Sequence, residues 1–152
     1  MSVKEIKQAL FQHCFAKADL RHQTIKQTIA DIDESLAEES KSSAGDELDN
    51  SRAMMQIDRE NATKQLHEVL ALKELLKKID LNTTSDYARL GSLITTNKAS
   101  YFISSSIGAV EVNGFPFLCI ALNSPIGQVI SGKRKGDHFL FNEIESKILA
   151  ID

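Results

Sequence analysis

Gly45-Asp46-Glu47-Leu48-Asp49-Asn50 separates two stretches whose apolar residues mirror one another. Reading outward, Leu36 answers Met55, Ile29 answers Ala62 and Ile25 answers Leu66, each pair of numbers adding to 91. The positions advance by alternating steps of three and four, the spacing of a seam between helices packed side by side. A seam with a mirror point belongs to an antiparallel hairpin, and the mirror point is its tip. From Val3 to about Ser40 there is no Pro or Gly, and Lys, Gln, Ala, Glu and Leu favour helix throughout. The inner seam of this helix reads Ala18, His22, Ile25, Ile29, Ile32, Leu36. The returning helix, from about Asp46 to Ile79, offers Met55, Arg59, Ala62, Leu66, Val69, Lys73 and Leu76. Arg59 and Lys73 interrupt the seam and are tolerable if their stems pack while their heads reach water. The same rule sets Glu39 beside Arg52 as an ion pair near the tip. At about 1.5 Å per residue, some 40 residues make a rod of roughly 60 Å. That is far longer than core packing requires, and it would carry the acids of the tip away from the rest of the chain.

Charge is uneven along the 152 residues. Residues 1–80 hold 12 basic and 15 acidic side chains, and 81–152 hold 6 of each. Between Asp31 and Asn50 there are 8 acids and a single lysine, Lys41, so phosphates would be repelled and direct nucleic-acid binding by the tip is disfavoured. A basic channel or a divalent cation suits it better. Cys14 and Cys119 both sit among apolar neighbours and read as buried, reduced thiols. There is no apolar run of signal-peptide type and no segment long enough to span a bilayer, so a cytoplasmic location is expected.

Beyond a polar link over 81–91, including Asn82-Thr83-Thr84-Ser85, the pattern changes to short strands. Ser92–Thr95 reads as a strand with Tyr101–Ile103 as its partner. Val110–Val112 enters the hairpin signal Asn113-Gly114 and leaves through Phe117–Ala121. Ser124-Pro125 starts a short helix that Gly132 stops. Gly136-Asp137 turns into His138–Phe141, and Ile144–Ile151 closes the sheet. The expected class is α+β: a helical hairpin over 1–80 with its acidic tip at 45–50, the link, and a small antiparallel sheet domain with one short helix over 92–152. The mirrored seam lets the hairpin pair within one chain, so a monomer is expected.

Asp46 and Asp49 are three apart, and on a helix residues at that spacing share a face. Two carboxylates on one face suit Mg²⁺, usually held by one or two carboxylates plus phosphate oxygens, but they are too few for a tight site within this chain alone. The competing reading makes Asp46 a helix cap and places Asp49 against the helix dipole. Cys119 with His138 is a poor nucleophile and base pair, because Cys119 lies within an apolar strand and a reactive thiol needs an electropositive, partly exposed setting. The four histidines, His13, His22, His67 and His138, show no metal-ligand spacing. Lys133-Arg134-Lys135 is a solvated turn or a docking patch for an acidic partner.

The tip resembles the Gly-Asp-x-x-Glu-Asn turn of the bacterial Gre transcript-cleavage factors. Ser124-Pro125-Ile126-Gly127-Gln128, followed by Gly132-Lys133 and Gly136-Asp137, resembles the signature of that family's C-terminal domain, whose fold is similar to FK506-binding proteins. The resemblance covers nearly the whole chain. It implies a factor, not itself an enzyme, that docks its C-terminal domain at the rim of the RNA polymerase secondary channel and inserts the hairpin. Asp46 and Asp49, supported by Gly45 and Asn50, would then help hold a second Mg²⁺ in the polymerase active site, and backtracked RNA would be hydrolysed by the polymerase. The RNA 3′ end would be met only indirectly, and no cofactor would be bound by the chain alone. Docking would fall to Ser124, Pro125, Ile126, Gly127 and Lys133. The chain departs from the family at Asp49, one methylene shorter than Glu, at Leu48 and Glu47, and in the approach Ser42-Ser43-Ala44. A channel-occupying regulator without cleavage activity therefore also fits. From a different class, a peptidyl-prolyl isomerase or chaperone of the FK506-binding type would need a concave aromatic pocket. Phe115, Phe117, Phe139 and Phe141 read instead as core positions on strands. A plain coiled-coil adaptor would leave the C-terminal motif unused.

Overall fold

The computed structural model describes the backbone of residues 1–39 and 46–152, with side chains for 1–39 and 50–152. Two long helices come first, α1 (Val3–Glu39) and α2 (Asp46–Lys77). Six strands and one short helix follow: β1 (Leu93–Thr96), β2 (Ser100–Ser104), β3 (Gly108–Val112), β4 (Phe115–Ala121), α3 (Pro125–Ile130), β5 (His138–Phe141) and β6 (Ile144–Ile151). Asp46–Asn50, the acidic tip, open α2 at the position expected for the start of the returning helix, where acids are favoured by the positive end of the helix dipole. Gly45 lies outside the described residues.

The chain divides into two compact units, Ala18–Lys73 and Met1–Lys17 with Glu74–Asp152. The division runs through both helices and not through the 81–91 link. In the first unit Ala18, Ile25, Ala62 and Val69 are buried, and His22, Ile29, Ile32, Leu36, Met55 and Leu66 are half-buried along the same seam. Burying a side chain such as Val69 fully contributes roughly 1.5–3 kcal/mol. Polar pairs fix the register. Arg59 Nε donates to Asp33 Oδ1 at 2.6 Å and Nη2 to Asp33 Oδ2 at 3.3 Å. Lys73 Nζ donates to Asp19 Oδ1 at 2.8 Å and lies 3.2 Å from His22 Nδ1. Arg21 meets Glu68 at 3.6 Å. Glu39 accepts from the Ser51 hydroxyl at 3.1 Å, one residue from the expected Arg52. The carboxylate pairs among these cross-helix partners have numbers that add to between 89 and 92, against the mirror value of 91, while Lys73 with His22 adds to 95.

The second unit is built on one six-stranded sheet in the order β3-β4-β2-β1-β6-β5. All its pairings are antiparallel except β2 with β4, which is parallel, with Phe102 opposite Cys119. The β3–β4 turn is made by Asn113 (φ 54°) and Gly114 (φ 82°), the two left-handed residues a tight hairpin of this kind demands. One face of the sheet packs on α3 through Ile94, Ile103, Ile120, Phe139 and Ile148 around Ile130. The other face, through Leu93, Phe102, Ser104, Phe117 and Cys119, lies against the first turns of α1. Leu93 pairs with Phe102 and Phe102 with Cys119, which places them on one side. Cys14 reaches Ser104 there at 3.2 Å.

The 81–91 segment is stitched down by its backbone. Ala88 N–H donates to Lys133 O and Gly132 N–H to Ala88 O, both at 2.8 Å, and Gly91 N–H donates to Ile103 O at 2.8 Å. Ala88 is 1% exposed and joins the core beneath α3. No described helix is long and apolar enough to cross a membrane.

Candidate functional site

The sequence singles out two groups of residues, and the structure places them in different units. Asp46 and Asp49 occupy the first turn of α2, immediately after the connection between the paired helices. Their i, i+3 spacing thus stands on a helical backbone. Asn50, the described member of the tip, is exposed. Behind it, the charged positions that interrupt the seam have carboxylate partners. The Lys73 ammonium, through its hydrogen bond and then its charge, holds the Asp19 carboxyl below the usual range. The hydrogen bond from Arg59 does the same for Asp33, and Asp33 in turn raises the Arg59 guanidinium.

The second group surrounds α3. Ser124 caps the helix: its Oγ accepts from Gly127 N–H at 3.1 Å and donates to Ala121 O at 2.6 Å. Pro125 occupies the first turn and is exposed, and Ile126 packs half-buried against the core. Gly127 is buried so close to β4 that a Cβ there would stand 2.1 Å from Ala121 O and 2.7 Å from Leu122 O. Spacing alone does not reveal this steric demand. Ser124 and Gly127 hold the helix in place, while Pro125 and Lys133 present surface.

The basic turn is not loose. Arg134 forms an isolated antiparallel bridge with Tyr87, its guanidinium lies 5.8 Å from the centre of the Tyr87 ring, and its backbone N–H donates to Asp137 Oδ2 at 2.7 Å. The space between α3 and the sheet is filled by Ile94, Ile103, Ile120, Ile130 and Phe139. Of Phe115, Phe117, Phe139 and Phe141, Phe117 and Phe139 are buried and Phe141 packs on the core. Phe115 is 66% exposed, because β4 begins beyond the reach of the core.

Both cysteines are free and buried, as their neighbours imply. His138 pairs with Glu145 at 3.5 Å on the exposed side of β5. Among the described residues, no three His, Cys, Asp or Glu side chains converge as a metal site.

Neither a family model nor a curated protein matches this chain. Two solved structures resemble it. One is described as the structure of the transcription factor Gfh1, 16% identical, with a TM-score of 0.36 over 91% of this chain and 92% of that one. The other is the crystal structure of GreA factor homolog 1 (Gfh1) protein of Thermus thermophilus, 16% identical, with a TM-score of 0.34 over 91% of this chain and 94% of that one.

Proposed function

We propose that this chain is a transcription elongation factor that inserts its helical hairpin into the secondary channel of RNA polymerase and stimulates cleavage of backtracked RNA. The observation carrying this reading is the position of Asp46 and Asp49. They open α2 directly after the connection between helices paired from Asp19–Lys73 as far as Glu39–Ser51. A helix cap does not need so long a support. Charge agrees: residues 18–73 carry 7 basic and 12 acidic side chains, and the other unit carries 11 and 9, so the net negative charge is confined to the hairpin, which suits it to a basic passage.

Two carboxylates three residues apart on a helix fit a hard divalent cation as a partial donor set, completed by groups from the polymerase. Mg²⁺ held there would stabilise the attacking and leaving oxygens of phosphodiester hydrolysis. The work of this chain is to bring Asp46, the principal carboxylate, and Asp49 to that place, with Gly45 and Asn50 shaping the approach. Docking belongs to the α3 region through Pro125, Ile126 and Lys133, on the frame set by Ser124 and Gly127. The factor acts as a monomer and is not an enzyme on its own. The shorter Asp49 and the apolar Leu48 favour a second reading, a regulator that occupies the channel without promoting cleavage.

Incubating the full chain with a stalled, backtracked elongation complex and sizing the RNA tests both readings. Shortened RNA supports cleavage. In that case Asp46→Asn lowers the rate about a hundredfold, equivalent to roughly 3 kcal/mol of transition-state stabilisation, with melting temperature and polymerase affinity nearly unchanged. Asp49→Glu matches or raises the rate. Unshortened RNA with retained binding selects the regulator, and absence of binding removes both.

A further inference from the structure

Cys14 and Cys119 come from distant parts of the chain and meet where the first turns of α1 cover the sheet. Cys14 is 0% and Cys119 1% exposed. Cys14 Sγ lies 3.2 Å from Ser104 Oγ, and Cys119 projects from the same face of the sheet, since its register partner Phe102 stands two residues before Ser104. Each thiol shifts the titration of the other, as groups that share one pocket do. Ser105 Oγ is buried beside Cys14. The pocket thus holds two thiols and two serine hydroxyls in a setting that packing alone would fill with aliphatic side chains.

We infer that Cys14 and Cys119 form an oxidative modification site, converted by a peroxide into a disulfide that ties α1 to β4. The surroundings assign the roles. Hydrogen bonding from Cys119, followed by Ser104 and Ser105, pulls Cys14 down to about 6 against the opposing effect of burial. The bond to Cys14 and burial both push Cys119 up. Cys14 is therefore the attacking thiolate and Cys119 the resolving thiol. The Cys14 thiolate attacks one oxygen of hydrogen peroxide, the O–O bond breaks, hydroxide leaves, and Cys14 becomes a sulfenic acid. Cys119 sulfur then attacks the Cys14 sulfur, the S–O bond breaks, and its thiol proton leaves with the hydroxyl as water. In total, two thiols and one peroxide give one disulfide and two waters.

Because both sulfurs are buried, peroxide reaches them only through local opening of the packing around them, and the reaction rate follows that opening. Once made, the bond closes a loop of roughly a hundred residues, among the lengths for which a disulfide constrains the unfolded chain most.

The test treats the full chain with hydrogen peroxide, with and without urea below the unfolding range, and maps disulfide-linked peptides by mass spectrometry. The expected product is monomer carrying a Cys14–Cys119 linkage, formed faster in urea and reversed by dithiothreitol. Its melting temperature should exceed that of the reduced chain by roughly 10 °C. In Cys119→Ser, Cys14 should stop at a sulfenic acid that dimedone captures. Linkage between chains would overturn the inference. So would Cys14 left free or over-oxidised in the wild type in urea, or an internal bond that fails to raise the melting temperature.

Discussion

Gly127 shows how a single atom can be excluded by its neighbours. A methyl group there would overlap the carbonyl oxygens of Ala121 and Leu122, which belong to backbone and cannot turn aside. Gly127→Ala is expected to destabilise by about 3 kcal/mol or more, lowering the melting temperature by roughly 10 °C, whereas Gln128→Ala on the exposed side should change it little. Calorimetry on both variants checks this. The Ser-Pro start of α3 was legible because a cap and a fixed proline φ are local chemistry. The demand at Gly127 was not, because it depends on how closely α3 approaches β4. Phe115 makes a related point: alternation assigns a residue to a face, but not how far along that face the core extends.

Elements were read best where their partners are set by numbering. The mirrored seam matches the hairpin register, and among the described residues each cross-helix pair with a carboxylate falls within two of the expected value. The strands and the Asn113-Gly114 turn were legible for the same local reasons. The parallel β2–β4 pairing was not, since β3 lies between them in sequence and at the edge in space. The ion pairs make a pH prediction. The folded-state values of Asp19 and Asp33 lie below their ordinary value of 3.8, so the native state holds fewer protons than the unfolded chain in that range. Their contribution is complete above 3.8 and is lost as the pH falls through the lower folded-state values. Helicity followed by circular dichroism should start to decline with acid below that value. Asp19→Asn combined with Asp33→Asn should weaken the fold at neutral pH and flatten that decline.

At the scale of the molecule, the sheet depends on residues far from it in sequence. Residues 81–152 alone would uncover Phe102, Leu93 and Cys119, which are 0%, 4% and 1% exposed in the whole chain. That fragment is expected to bind a hydrophobic dye and to show little near-ultraviolet dichroism. Residues 1–17 joined to 74–152 by a short glycine linker should instead unfold cooperatively. Such a chain is the proper carrier for testing whether docking resides with α3. This dependence also sets an order of events during synthesis. The segment bearing Ile6, Leu10 and Cys14 leaves the ribosome before Ser104 and Cys119, which cover it and are made about a hundred residues later. Pairing at that separation is slow to form, and until it does the apolar side of α1 stands open to chaperones and to other nascent chains. A segment made before its cover is among the last to be buried.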